Sequence, residues 1–103
     1  MPYITQEDRS KIDDEIDRLI KVINTEFKGD ISGVLNYTIT RIIANTLKLH
    51  EAPRYHNINC AAGVLECIKL ELYRRIAQHY EDSKILLNKD VREYEEFEKI
   101  AAI

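Results

Sequence analysis

From Arg54 to Leu87 the sequence keeps a helical pattern with no Pro and a single Gly, Gly63. Helical runs end where Pro, Gly or a cap ends them, so this stretch reads as one long helix, about 54–88. Such a helix is about 50 Å long, whereas a compact chain of this size has a radius of gyration of about 13 Å. The helix must therefore bend near Gln78-His79-Tyr80, or project and pack on a partner. At 103 residues, 45% hydrophobic and 32% charged, the chain predicts one all-helical globular domain, 1–103, with a single core.

The other elements follow from punctuation and period. Thr5 followed by Asp8 predicts a short capped turn over Ile4. Ser10 or Asp13 then caps a helix to about Phe27, whose apolar residues Ile12, Ile16, Leu19, Ile20, Ile23 and Phe27 step by three and four. Asp13, Asp14, Glu15 and Asp17 near its start suit the helix dipole. Lys28-Gly29-Asp30 ends it, and Asp30 or Ser32 caps the next helix, about 31–49. That helix is expected to bury Ile31, Leu35, Ile39, Ile42, Thr46 and Leu49, leaving Tyr37, Arg41, Ala44 and Lys48 opposite. Pro53 breaks the pattern and suits a first helical position. After the long helix, Asn88 is expected as a left-handed cap and Asp90-Val91-Arg92-Glu93 as a capping box for a last acidic helix, 91 to about 101. The fold class is thus all-α: a bundle of four main helices, one of them long, plus an N-terminal helical turn.

Residues 58–76 carry two apolar stripes. Ile58, Ala61, Leu65, Ile68, Leu72 and Ile76 form an ordinary core face. Cys60, Gly63, Cys67 and Leu70 form a second stripe, rich in small residues that let another helix approach closely. Gly63 costs about 1 kcal/mol of helix propensity, which asks for compensation by packing. These four are the interface candidates, and a symmetry mate is the expected partner. Glu66 and Glu71 lie on opposite flanks of the stripes, about 140° apart around the axis, so they do not converge as a catalytic pair. Glu71 has Arg74 and Arg75 at i+3 and i+4, and Glu66 has Lys69 at i+3. Helix-surface ion pairing, about 0.3–0.5 kcal/mol each if exposed, accounts for them.

The net charge of -3 argues against broad phosphate or membrane-surface binding. No apolar run reaches the ~18 residues of a membrane span, and the start shows no secretory signal. Cys60 and Cys67, seven apart on one helix, lie about 10 Å from each other, beyond the reach of a disulfide; a reduced, cytoplasmic protein is expected. The abundance of Ile, Lys and Glu, with no Trp, leans towards a thermophilic source.

The chemistry-bearing residues are few. His50, His56 and His79 lack a metal-ligand pattern, although His56 stands four before Cys60; a partly buried His and two core thiols are the expectation, with no metal or cofactor. No phosphate-loop, dinucleotide or hydrolase-elbow motif is present. Tyr37, Arg41, Lys48 and Arg54 are the only basic-aromatic surface, on helices too long for a helix-turn-helix, so no nucleic acid is expected. One enzyme alternative remains. All-α nucleotide pyrophosphohydrolases of the MazG type are similar in size and bind magnesium through E-x-x-E and E-x-x-D motifs. Asp14-x-x-Asp17 and Glu95-x-x-Glu98 are the nearest pairs here, without that family's order or context.

The segments "YIT.EDR" (3–9), "LNYTITRI" (35–42), "GVLECIKLELYRR" (63–75) and "YEDSKI..N.DV" (80–91) resemble a small family of uncharacterised prokaryotic and prophage-associated proteins. In that family Pro often precedes the YED and Gly follows the Asn, where this chain has His79 and Lys89. The resemblance implies a shared fold, with Asn36, Tyr37, Arg41, Glu66, Glu71, Arg74, Arg75, Tyr80, Glu81 and Lys84 as its polar positions, and it lends no activity. The reading is a non-enzymatic module that self-associates or binds another protein, dimeric through the long helix; the alternative is the magnesium-dependent nucleotide hydrolase.

Overall fold

The local signals can be followed along the chain in a computed structural model, which describes residues 2–102. Thr5 caps α1 (Gln6–Ser10), its Oγ1 accepting from the Asp8 amide at 3.1 Å. Ser10 does not cap the following helix: its hydroxyl donates back to the Glu7 carbonyl at 2.6 Å. α2 (Asp13–Glu26) starts without a side-chain cap, and Asp13, Asp14 and Glu15 fill its first turn. There they answer the exposed amides electrostatically instead. Gly29, with φ 87°, takes the left-handed conformation that turns the chain towards α3. Asp30 Oδ1 then accepts from the Ser32 amide at 2.9 Å and from its hydroxyl at 2.6 Å. Those two bonds hold the exposed Asp30 carboxyl below its ordinary pKa.

α3 (Ser32–Thr46) is shorter than expected. Its end is a Schellman motif: Lys48 has φ 53° and the Leu49 amide donates back to the Ala44 carbonyl at 3.0 Å. α4 (Tyr55–Leu72) begins after Pro53. The Ile58 amide donates to the Arg54 carbonyl at 3.0 Å, so Arg54 is the capping residue and Pro53 precedes it, outside the first helical position where it was expected. Helix continues through a π turn, Tyr73–Ala77, into α5 (Gln78–Asn88). The irregularity in the long helix therefore falls one turn before the expected Gln78–Tyr80 site. The Gln78 amide reaches back five residues to the Tyr73 carbonyl, the mark of one residue inserted into the ladder. At the far end Lys89, not Asn88, has the positive φ, at 72°. The last helix, α6 (Arg92–Ala101), has no capping box: Asp90 Oδ1 accepts from the neighbouring Val91 amide at 2.7 Å.

The class is all-α, with no strand among the described residues. The chain divides into two compact units, Met1–Glu66 and Cys67–Ile103, with the boundary inside α4. In the first, Ile23 of α2 (9% exposed) and Ala61 of α4 (7%) are the only buried residues among those described. Ile31, Val34, Thr38, Ile43, Ala44, Leu47 and Leu49 are half-buried. The inner side of α3 thus differs from the expected one: Leu35, Ile39 and Ile42 are exposed and Ala44 is half-buried. Val34, Leu35, Ile39, Ile42 and Ile43 spread over about half the circumference of α3, so apolar period alone could not pick its inner side. Ile12, Ile16, Leu19, Ile20 and Phe27 of α2 are likewise exposed, as are Ile58, Leu65, Ile68, Leu72 and Ile76 of the expected core face. In the second unit only Glu71, Ala77 and Asp90 are half-buried, and no residue is buried.

Candidate interaction surfaces

Two open grooves run along α3 within the first unit. One, of about 380 Å³, lies against α2 and is lined by Leu19, Tyr37, Thr38, Arg41, Ile42 and Asn45. The other, of about 300 Å³, lies against α4, with Asn36, Ile39, Ile43, Leu49, Ala61 and Leu65 on its walls. One helical turn separates Tyr37 from Arg41, and the guanidinium stands 6.0 Å from the ring centroid. That is cation–π distance, and it holds the charge at the groove. Among the described residues, α3 is the only α-helix without an Asp or Glu. Arg41 accordingly has no ion pair among the described residues.

The small-residue stripe of α4 is open. Cys60 and Cys67 are free thiols and exposed, which corrects the expectation of two core thiols. A Cβ added at Gly63 would meet nothing within 4 Å, and Leu70 is 57% exposed. His50, His56 and His79 are exposed too, not partly buried. His50 lies 3.5 Å from Glu51 and 3.2 Å from the Ala44 carbonyl.

The second unit brings together two sets of the remaining polar positions. Arg74 grips Glu71 with two bonds, Nε to Oε1 at 2.9 Å and Nη2 to Oε2 at 3.1 Å. The Glu71 side chain is only 17% exposed, so this bidentate pair is better shielded than an ordinary surface pair. Of the two arginines offered by the sequence the structure thus joins Arg74 to Glu71, at the edge of the π turn, and Arg75 makes no ion pair among the described residues. Lys84 lies 5.4 Å from the Tyr80 ring centroid. Glu81 beside them is exposed, as is Glu66 in the first unit.

Among the described residues, no group of three or more His, Cys, Asp or Glu is placed to hold a metal ion. Glu95, half of one candidate magnesium pair, instead lies 3.8 Å from Lys99. No helix among those residues is long and apolar enough to cross a membrane. What the geometry offers is contact surface: two apolar grooves with one cation, and an open helix face of small residues. Sequence reasoning placed Leu19 and Ile42 in the core and passed over Thr38 and Asn45. The available signal was the acid-free stretch from Ile31 to Leu49, with an aromatic and a cation one turn apart.

Residues 1–91 match the model of a family described as a domain of unknown function, DUF6899. α6 follows the matched region. No curated protein and no solved structure matches the chain. With most of its length matched, the chain belongs to the DUF6899 family.

Proposed function

We propose that this chain is a non-enzymatic, homo-oligomeric interaction module that dimerises through the Cys60, Gly63, Cys67 and Leu70 face of α4. The observation that carries the reading is the open space at Gly63. A glycine in a helix interior costs about 1 kcal/mol, and nothing among the described residues approaches closely enough to need it. A second helix packed on that face would need it, because interaxial distance falls as contact side chains shrink. Leu70 on that face is 57% exposed and supplies apolar surface that association would cover. Two exposed free thiols fit a reducing compartment, and we assign the cytoplasm. The nucleotide-hydrolase alternative, with carboxylates drawn from Glu66, Glu71 or the acidic helix ends, has no comparable support, since no group of three or more His, Cys, Asp or Glu among the described residues is placed to share a metal ion.

Sedimentation across a concentration series tests the reading. The wild-type chain is expected to be a dimer and Leu70→Glu a monomer; a wild-type monomer at every concentration overturns the proposal. Gly63→Leu separates helix propensity from contact. It gains about 0.8–1 kcal/mol of intrinsic helix stability but blocks close approach, so thermal stability at high dilution rises while dimerisation weakens. A Gly63→Leu chain that dimerises as well as wild type also counts against this face.

A further inference from the structure

α6 presents Tyr94 and Phe97 to solvent, and neither side chain is covered. Glu98 stands one turn after Tyr94, and Glu93 one turn before Phe97, so the two carboxylates border the aromatic pair on one helix surface. Neither glutamate makes an ion pair among the described residues, whereas Glu95 lies near Lys99. α6 is thus an amphipathic helix of ten residues with an apolar face edged by unpaired negative charge.

The α2–α3 groove has the opposite character. Leu19 and Ile42 give it an apolar floor, and both are exposed. Arg41, held over the Tyr37 ring, gives it one unpaired cation on a helix free of acids. An apolar groove edged by a cation fits an amphipathic helix edged by acids, the helix-in-groove mode of recognition.

We infer that the groove lined by Leu19, Tyr37, Arg41 and Ile42 receives α6 of a second copy of this chain, with Tyr94 and Phe97 in the groove and Glu98 or Glu93 against Arg41. Each copy carries one groove and one α6, so a reciprocal exchange between two copies makes the same contact twice. The inference rests on the assembly reading above and adds a second contact region to it. Charge at the groove then sets register and partner choice, because burying Arg41 against an apolar surface without a carboxylate is unfavourable.

A charge swap in the full-length chain tests the contact. Arg41→Glu is expected to weaken dimerisation about tenfold or more by sedimentation, since it sets like charges together. Glu98→Arg in that background, or Glu93→Arg if Glu93 is the partner, is expected to restore most of the loss. Far-UV circular dichroism of each variant reports whether helix content is kept, and Arg41→Gln supplies a milder change should Arg41→Glu unfold the chain. Dimerisation untouched by both Arg41 variants overturns the groove contact while leaving the α4 proposal standing. A monomeric wild type overturns both. A swap that rescues thermal stability independently of concentration, with no effect on dimerisation, places α6 in its own chain's groove and also overturns the inference.

Discussion

Residues 1–66 and 67–103 are built from similar helical sequence and reach different ends. In the first, Ile23 and Ala61 are buried and a row of residues along α3 is half-buried. In the second, α5 and α6 are formed to the same helical geometry, yet Leu86 is 82% exposed, Leu87 73% and Phe97 62%. Isolated helices shorter than about 12–15 residues are marginal in water, and most helix stability in proteins comes from burying an apolar face. α6 has 10 residues, whereas α5 is carried by the helix that precedes it. The difference teaches that regular backbone and a covered face are separate achievements. The first unit covers some of its own apolar residues, and the second leaves its own exposed.

The largest test of that contrast is a pair of truncations. Ile23→Ala is expected to cost about 2–3 kcal/mol in denaturant unfolding, because it empties a buried site. Phe97→Ala is expected to cost no more than about 0.5 kcal/mol at high dilution, and more as concentration rises and copies associate. Equal, concentration-independent costs at the two sites would erase the distinction between the units.

A smaller pair compares one chain reversal in each unit. Lys89 has φ 72° and ψ 157°, a region populated almost only by glycine. Lys48 has φ 53°, the milder left-handed helical region. Lys89→Gly is expected to stabilise the chain by about 1 kcal/mol or slightly more, and Lys48→Gly by about 0.5–1 kcal/mol. Thermal melts at one fixed concentration read both, and a loss on either substitution would mean that the lysine side chain contributes more than its backbone costs.

The smallest effect is a titration at the start of α3. Asp30 gives up its proton more readily than an ordinary aspartate because its carboxylate accepts from the Ser32 hydroxyl and amide. A depressed folded pKa adds stability above the unfolded value of 3.8, and this is lost as pH falls through the lower folded value. Carboxyl-carbon NMR is expected to place the Asp30 midpoint below 3.8, and Ser32→Ala to move it upward by removing the hydroxyl bond. An unmoved midpoint would assign the shift to something other than Ser32.

Much of the fold was legible because helices announce themselves locally. The long helix, the Thr5 cap and the break around Gly29 follow from spacing and punctuation within a few residues of each site. Where two local solutions compete, the signal fails. Asp90 satisfies the adjacent amide rather than closing a capping box, and the positive φ falls on Lys89 instead of Asn88. The Glu71 partner was legible only as a choice of two, since the turn that seats Arg74 is a π turn with no Pro or Gly to announce it. The exposed surfaces were half legible. Small residues at close spacing marked the Gly63 stripe, which the structure leaves open, whereas Leu19 and Ile42 carry the same apolar signature whether they fill a core or line a groove.

By itself, then, the sequence determined the all-α class, the order of the helices and their approximate ends, because those depend on interactions within a few residues along the chain. Which apolar faces are covered was decided only by tertiary structure. An apolar stripe states that a helix must bury something and does not name what lies opposite. Ile23 and Ala61 are buried while Ile20 and Leu65 are exposed, although all four carry the same apolar signature along the chain.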